Sequence, residues 1–122
     1  MGAQEKRIVY SCSGCSSAGQ MANWIAVELD QAGAAEMSCI AGIGGRIAPL
    51  LERAQEASEI IGIDGCPLHC VRHCLRREGM DCAVHVDLSK YGVIKKYHQD
   101  FDVSEAEKTL KAVVKRLNGK PC

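Results

Sequence analysis

The sequence has no net charge, few aromatic side chains and no long apolar run. Fifteen basic residues balance fifteen acidic residues, and aromatic residues make up 4% of the chain. Because no basic stripe with interleaved aromatic residues occurs, we expect neither nucleic acid nor an anionic membrane as a partner. A membrane-spanning helix needs about 20 consecutive apolar residues. The sequence contains no such stretch, so no transmembrane helix is predicted.

An export signal is also missing from the N-terminal residues. They lead into Ile8 and Val9 without a leader-like apolar segment or a small-residue cleavage site. The sequence therefore predicts a cytoplasmic protein, in which cysteines remain reduced. At 122 residues the chain is long enough for one core and too short for two comfortable ones. We expect a single cysteine-rich α/β domain spanning residues 1–122.

Motifs of several enzyme classes are absent as well. A phosphatase-type or arsenate-reductase-type loop needs an arginine six residues after its nucleophilic cysteine, but Ala18 stands six residues after Cys12. The glycine-rich stretch 42–45 lacks the lysine of a phosphate-binding loop and the third glycine of a dinucleotide-binding motif. What remains as the main chemical feature is a set of eight cysteines.

Strand-like and helix-like segments alternate along the chain. Such alternation is typical of a parallel sheet with right-handed crossovers and helices on both faces. We predict a single three-layer α/β/α domain, flavodoxin-like or Rossmann-like, with about four strands in the order 2-1-3-4. The predicted strands are 6–11, 36–42, 60–63 and 82–88, and the predicted helices are 17–33, 46–57, 66–79 and 104–118.

The densest chemical signals lie between residues 60 and 74. The β-branched run 60–63 predicts a buried parallel strand. Pro67 fits the first turn of a helix, which would place Cys66 at or beside the N-cap, where unpaired N–H groups favour a thiolate. Cys70 and Cys74 follow at four-residue steps. The pattern therefore predicts three thiols along one face of this helix.

Five cysteines follow or lie near the predicted ends of three neighbouring strands. Sites of open α/β sheets form outside the carboxyl ends of the strands, where the strand order reverses. A Cys-x-x-Cys pair and a second pair four residues apart suit a tetrahedral zinc ion, which takes four ligands. Cys39 also fits a small apolar residue of a strand. From spacing alone, the candidate metal ligands or redox groups are Cys12, Cys15, Cys39, Cys66 and Cys70.

Two other functions fit the same residues. A thiol-disulfide redox enzyme would cycle Cys12 and Cys15 between dithiol and disulfide, use Cys66 as a nucleophile and act on a redox partner protein. Four thiolates could also hold an iron–sulfur cluster. The pattern identifies no catalytic residue, substrate or oligomeric state. It assigns no role to Cys74, Cys82, Cys122, His69 or His73.

The remaining polar residues of the third predicted helix look structural. His69 and His73 have a spacing that can hold zinc, but no glutamate lies between them, and the pattern favours exposed histidines. The arginines at positions 72, 76 and 77 are typical of a solvated helix face. We expect no chemistry from them.

Three cysteine motifs occur in a defined order: Cys12-Ser-Gly-Cys-Ser, Cys39-Ile-Ala-Gly-Ile-Gly-Gly and Ile63-Asp-Gly-Cys-Pro-Leu-His-Cys. Together they resemble the motifs of the DGC-domain family, and the resemblance spans nearly the whole chain. Residues 91–98 resemble the segment that follows the last strand in that family. The resemblance implies a small prokaryotic protein that binds zinc through its cysteines. Carried over residue by residue, it implies that these five cysteines are the metal ligands, and no established reaction. Because a tetrahedral zinc ion takes four ligands, one of the five is then spare or the site changes ligands.

Overall fold

A computed structural model describes residues 6–119. The expectations for residues 1–5 and for Cys122 lie outside this range. The strands are β1 (Arg7–Ser11), β2 (Glu36–Met37), β3 (Glu59–Asp64) and β4 (Val84–Asp87); the helices are α1 (Ser17–Gln31), α2 (Ile40–Gly44), α3 (Ala48–Gln55), α4 (Cys70–Arg77) and α5 (Val103–Gly119). A 3-10 helix, Leu88–Tyr91, follows β4. None of the helices within residues 6–119 has the length and apolar character needed to cross a membrane.

The strands form one parallel sheet in the order β2-β1-β3-β4, which confirms the predicted fold class and strand order. β3 pairs with β1 on one side and with β4 on the other, so that Asp64 lies opposite Asp87. These aspartates are the last residues of their strands. Helix α1 contacts the first three strands and α5, whereas α4 contacts β3 and α2. Helices therefore cover both sides of the sheet.

The core lies between the sheet and these helices. Ile61 and Ile63 of the central strand β3 are completely buried. Met21, Ile25 and Leu29 recur every four residues along α1, and all three are at most 1% exposed. Full burial of such a side chain contributes about 1.5–3 kcal/mol. These apolar residues pack α1 against the sheet and bury β3, and most of the predicted cysteines follow directly after β1 and β3.

The residues that cap α1 and α5 differ from those that the sequence indicates. The capping-box patterns Ser17-Ala-Gly-Gln and Ser104-Glu-Ala-Glu predict N-caps at Ser17 and Ser104. The side chains of Ser16 and Asp102 instead accept the hydrogen bonds of the first helical turns, at 3.0 and 3.2 Å. The hydroxyl of Ser17 accepts instead a hydrogen bond from the Lys96 N–H. Because the Ser17 hydroxyl is engaged by Lys96, the N-cap of α1 is Ser16, one residue before the predicted cap.

The second strand is shorter than predicted. β2 comprises only Glu36–Met37, and Cys39 lies at the N-cap of the short helix α2. The predicted strand 36–42 was therefore wrong beyond its first residues. A Cβ atom on Gly42 would overlap the side chain of Leu50, so this glycine lets α2 pack closely against α3. Pro49 lies in the first turn of α3, the part of a helix that tolerates proline.

Candidate functional site

One cavity at the carboxyl ends of β1 and β3 is lined by four of the five predicted cysteines. Its volume is about 220 Å³, and it lies between the loop after β1 and the turn after β3. The strand order reverses between these two strands, which is where ligand sites form in such sheets. The cysteines of this four-cysteine cavity are Cys12, Cys15, Cys66 and Cys70.

Cys39 lines a neighbouring depression instead. This depression has a volume of about 570 Å³ and is also lined by Ser38 and Arg53. Ser13 contributes to both cavities, so the two are adjacent. The structure therefore does not bring Cys39 into the four-cysteine cavity, and its role as a ligand stays a prediction.

Cys66 does not lie at the start of a helix, so the predicted helix start near Pro67 was wrong. Helix α4 begins at Cys70, and its N-cap is His69, which has a left-handed backbone with φ of 56°. Residues 65–68, including Cys66, form a turn. Only Cys70 and Cys74 therefore share the helix, and Cys66 approaches the cavity from a separate segment.

The carboxylate of Asp64 decides where α4 begins. Its Oδ1 accepts a hydrogen bond of 2.9 Å from the N–H of Val71, and its Oδ2 accepts a longer one of 3.4 Å from Arg72. These N–H groups belong to the first helical turn and lack partners within the helix. Asp64 is 1% exposed. A buried aspartate at the end of β3 thus caps the next helix and holds Cys70 beside the cavity.

Gly65 allows the turn to approach α1 closely. A Cβ atom there would lie 2.6 Å from the carbonyl carbon and oxygen of Ala18 and 2.9 Å from the nitrogen of Gly19. The Gly65 N–H donates a hydrogen bond of 3.1 Å to the sulfur of Cys12. Asp64 and Gly65 therefore have two positioning roles: Asp64 caps α4, and Gly65 holds the sulfur of Cys12.

Burial controls the ionisation of two cavity thiols. It raises the pKa of Cys12 to about 11, against a smaller lowering by the hydrogen bond from Gly65. Cys70 is exposed as a residue, but partial burial of its sulfur, followed by the negative charge of Asp64, also raises the pKa of its thiol. Both thiols are therefore protonated at neutral pH. A metal ion that binds them must displace their protons, so its affinity depends on pH.

Lys95 brings a positive charge to the same cavity. Its Nζ lies 3.5 Å from the sulfur of Cys66 and 5.4 Å from the centre of the Tyr97 ring. Interactions with Tyr97 and then with Cys66 raise the pKa of Lys95, so the amine is charged at neutral pH. The segment is held in place by Lys96, whose backbone pairs with Ser17 at the start of α1. The sequence patterns assigned no role to Lys95. The one indication in the sequence was that residues 91–98, which include Lys95, resemble a segment of the DGC-domain family.

Two aspartate–histidine pairs lie beside the four-cysteine cavity, and Asp64 and His69 of these pairs line it. His85 Nε2 is 2.8 Å from Asp64 Oδ2, and His69 Nε2 is 2.8 Å from Asp87 Oδ2. The two imidazole rings meet edge to face, with centres 4.6 Å apart. The expectation that His69 is an exposed helix residue was wrong, because it precedes the helix and faces Asp87. The sequence feature that could have indicated these pairs is the aspartate at the end of each of the two β-branched strands, Asp64 and Asp87.

The donor set of the cavity fits a thiophilic metal ion, although the sulfurs are not yet gathered around one point. Among residues 6–119, no three Cys, His, Asp or Glu side chains are close enough together to hold a metal ion. Cys12, Cys15 and Cys66 lie outside the helices and strands, and Cys15 and Cys70 are exposed.

Comparison with known proteins identifies the family. The family model described as the DGC domain matches residues 8–113, so the chain belongs to the DGC-domain family, as its motifs predicted. The chain is 48% identical over 101 residues to "Anaerobic and virulence modulator AnvM" of Pseudomonas aeruginosa, an alignment that covers 83% of this chain and 77% of that protein. No solved structure matches the chain.

Proposed function

We propose that this protein binds one zinc ion through cysteine thiolates at the carboxyl ends of β1 and β3. The observation that carries the proposal is the shared lining of one cavity by Cys12, Cys15, Cys66 and Cys70. Four cysteine sulfurs are the ligand set of a closed structural zinc site, with Zn–S distances of about 2.3 Å. Membership of the DGC-domain family supports a metal-binding role.

The residues around the cavity suit such a site electrostatically. Zinc with four thiolates carries a net charge of about −2, and nearby hydrogen-bond donors and cations stabilise that charge. The N–H of Gly65 already donates to the sulfur of Cys12, and the ammonium of Lys95 lies beside Cys66. These two groups would offset part of the negative charge and orient two of the ligands.

The name of the Pseudomonas relative supports a regulatory role. That protein is called an anaerobic and virulence modulator. Oxidation converts thiolates to forms that no longer bind zinc well. We infer that metal occupancy, rather than turnover of a substrate, carries the signal in this protein. Zinc release on titration with hydrogen peroxide tests this role, and zinc that stays bound while the thiols oxidise would contradict it.

Metal analysis of three proteins tests the zinc site. Wild-type protein, purified without strong chelators, is expected to carry about one zinc per chain. Cys66→Ser should abolish or sharply weaken binding because it removes a cavity sulfur. Cys74→Ser is the matched control, since Cys74 lies on α4 outside the cavity lining. Iron with visible charge-transfer bands, or zinc lost from the Cys74 variant and kept by the Cys66 variant, would refute the proposal.

A thiol-disulfide redox enzyme is the second candidate, and the contact between Lys95 and Cys66 favours it. Cations beside sulfur are typical of reactive cysteines. In this reaction Cys66 would attack a disulfide of a partner protein and release one of its thiols as a mixed disulfide forms. Cys12 and Cys15 would then resolve the mixed disulfide and end as a disulfide, so that their two electrons and two protons leave the partner with two thiols. With dithiothreitol as the reductant that regenerates the Cys12–Cys15 dithiol, metal-free protein should then catalyse reduction of an insulin disulfide, and Cys15→Ser should abolish multiple turnover. Failure of the metal-free wild type to react would exclude this candidate.

We also propose a cytoplasmic location. All seven cysteines within residues 6–119 are free thiols, and a reducing compartment maintains that state. Trapping thiols in intact cells with a membrane-permeant alkylating reagent tests this proposal. Recovery of the protein mainly as disulfide-linked species would contradict it.

A further inference from the structure

A separate cavity lies beside β4, the edge strand of the sheet. Its volume is about 510 Å³, and α4, β4, the 3-10 helix and α5 all contribute to its lining. Three basic side chains from three of these elements meet there. We call this the basic cavity; its cations are Arg72, Lys90 and Arg116.

Positive charge exceeds negative charge in the basic cavity. Asp87 is the one acidic residue of the described lining, and it is already engaged by His69. Arg72 shares the carboxylate of Asp81 with Arg76, with Nε–Oδ distances of 3.4 and 3.0 Å. Two guanidinium groups therefore face one carboxylate. The protein as a whole has no net charge, so this excess is a local feature.

The other two cations lack carboxylate partners within residues 6–119. Arg116 donates a hydrogen bond of 2.7 Å to the carbonyl oxygen of His85, which holds its guanidinium at the cavity. A guanidinium has five N–H donors, so most of them stay available to a ligand. Lys90 extends from the 3-10 helix, and the neighbouring Tyr91 adds a phenol to the wall.

We propose that the basic cavity binds a small organic phosphate. Converging arginine and lysine side chains are the groups that recognise phosphate oxygens, through bidentate and charge-assisted hydrogen bonds. A monoanionic carboxylate would neutralise only one of the three cations, whereas a dianionic phosphate ester can contact all of them. A volume of about 510 Å³ is typical of a small-molecule site and leaves room for more than inorganic phosphate.

The site is independent of the zinc proposal. Its cations do not line the four-cysteine cavity, and no cysteine sulfur is needed to bind the anion. Cys82 borders the basic cavity, but burial raises the pKa of its thiol to about 12, so it adds no negative charge at neutral pH. Failure of one proposal therefore leaves the other intact.

Calorimetric titration of the purified full-length protein tests the proposal. The probes are inorganic phosphate and glycerol 3-phosphate, and glycerol serves as the uncharged control. We expect saturable binding of glycerol 3-phosphate and none of glycerol. Tighter binding of the ester than of inorganic phosphate would support an organic ligand, whereas equal affinity would overturn that assignment in favour of free phosphate.

Three variants locate the site. Lys90→Gln and Arg116→Gln should each weaken binding of glycerol 3-phosphate by about tenfold or more, because each removes a charge-assisted contact. Lys115→Gln is the matched control. Lys115 is an exposed residue of α5 that does not line the cavity, so its substitution removes one positive charge without removing a proposed ligand contact. Thermal unfolding checks that each variant is folded. The absence of saturable binding, unchanged affinity in both cavity variants, or equal weakening in the control would overturn the proposal.

Discussion

Asp64 and Asp87 lie opposite each other at the ends of β3 and β4, and each binds a histidine from the other segment. Asp64 of β3 pairs with His85 of β4, whereas Asp87 of β4 pairs with His69, which follows β3. Both distances are 2.8 Å. This crossed arrangement ties the turn before α4 to the edge strand. The cysteine-bearing turn is therefore held from both sides, by Asp64 in its own strand and by Asp87 in the neighbouring one.

Replacement of Asp64 by alanine should destabilise the protein by about 2–4 kcal/mol. The variant loses the cap of α4, worth about 1 kcal/mol, and leaves a half-buried histidine without its partner, which costs a further ~1–3 kcal/mol. Urea unfolding followed by circular dichroism measures the change. Asp100→Ala is the control, because that residue is exposed, and its effect should stay within about 0.5 kcal/mol. Equal effects of the two substitutions would contradict the capping role.

Two glycine-to-alanine substitutions should have different effects. Gly65→Ala forces a Cβ atom to within 2.6 Å of the backbone of Ala18, so we expect a loss of about 1–3 kcal/mol or more. Gly44→Ala meets only the sulfur of Cys74 at 3.6 Å, an ordinary contact, and alanine favours the helix. That variant should be neutral or slightly stabilised. Thermal or urea unfolding compares the two, and a stable Gly65 variant would show that the close approach to α1 is not required.

The pairing of Asp87 should make stability depend on acid pH. Burial tends to raise the pKa of Asp87, but hydrogen bonds from Ser89 and then His69 outweigh it and lower the pKa below the ordinary value. Because the folded pKa is below the unfolded value of about 3.9, this stabilisation is present above about pH 4. It is lost as the pH falls through the lower folded pKa.

The free energy of unfolding of the wild type should therefore fall more steeply between about pH 5 and pH 3 than that of Asp87→Asn. Urea titrations at several pH values measure both slopes. The remaining carboxyl groups are the same in the two proteins and cancel in the comparison. Parallel pH profiles would show that Asp87 contributes no acid-sensitive stability.

Alkylation should distinguish Cys12 from Cys15 in metal-free protein. Cys12 is buried and has a pKa of about 11, whereas Cys15 is exposed. Iodoacetamide reacts with the thiolate, so Cys15 should be modified at least about tenfold faster at pH 8. The rate at Cys12 should still rise at pH 10. Peptide mass spectrometry measures both rates, and urea-unfolded protein, where the two thiols should react alike, is the control. Equal rates in the native protein would contradict the burial of Cys12.

Local patterns in the sequence were sufficient to predict the sheet and its strand order. Apolar residues recur every four positions in α1 and continuously in β3, because the former has one buried face and the latter is covered on both. The predicted strand order also placed the cysteines of the first motif close to those of the third motif. Parallel neighbouring strands end at the same edge of a sheet, so cysteines that follow β1 and β3 line one cavity.

The start of α4 could not be predicted from local signals. Pro67 is compatible with a first helical turn, and nothing near it in the sequence indicates that the helix begins three residues later. The cap is the side chain of Asp64, whose distance from Val71 depends on how α4 packs on β3. Similarly, Cys39 was predicted to lie within the second strand, but the strand ends at Met37 and Cys39 is the N-cap of α2, beside a different cavity.

The sequence by itself determined the fold class, the family and the elements that carry the cysteines, because burial periodicity and motif spacing are local properties of the chain. Only the tertiary structure decided the two aspartate–histidine pairs and the meeting of Arg72, Lys90 and Arg116. These groups come from separate elements, and their separation depends on the register of β3 against β4 and on the packing of α4 and α5. Register and packing arise from the whole core, so no local pattern encodes them.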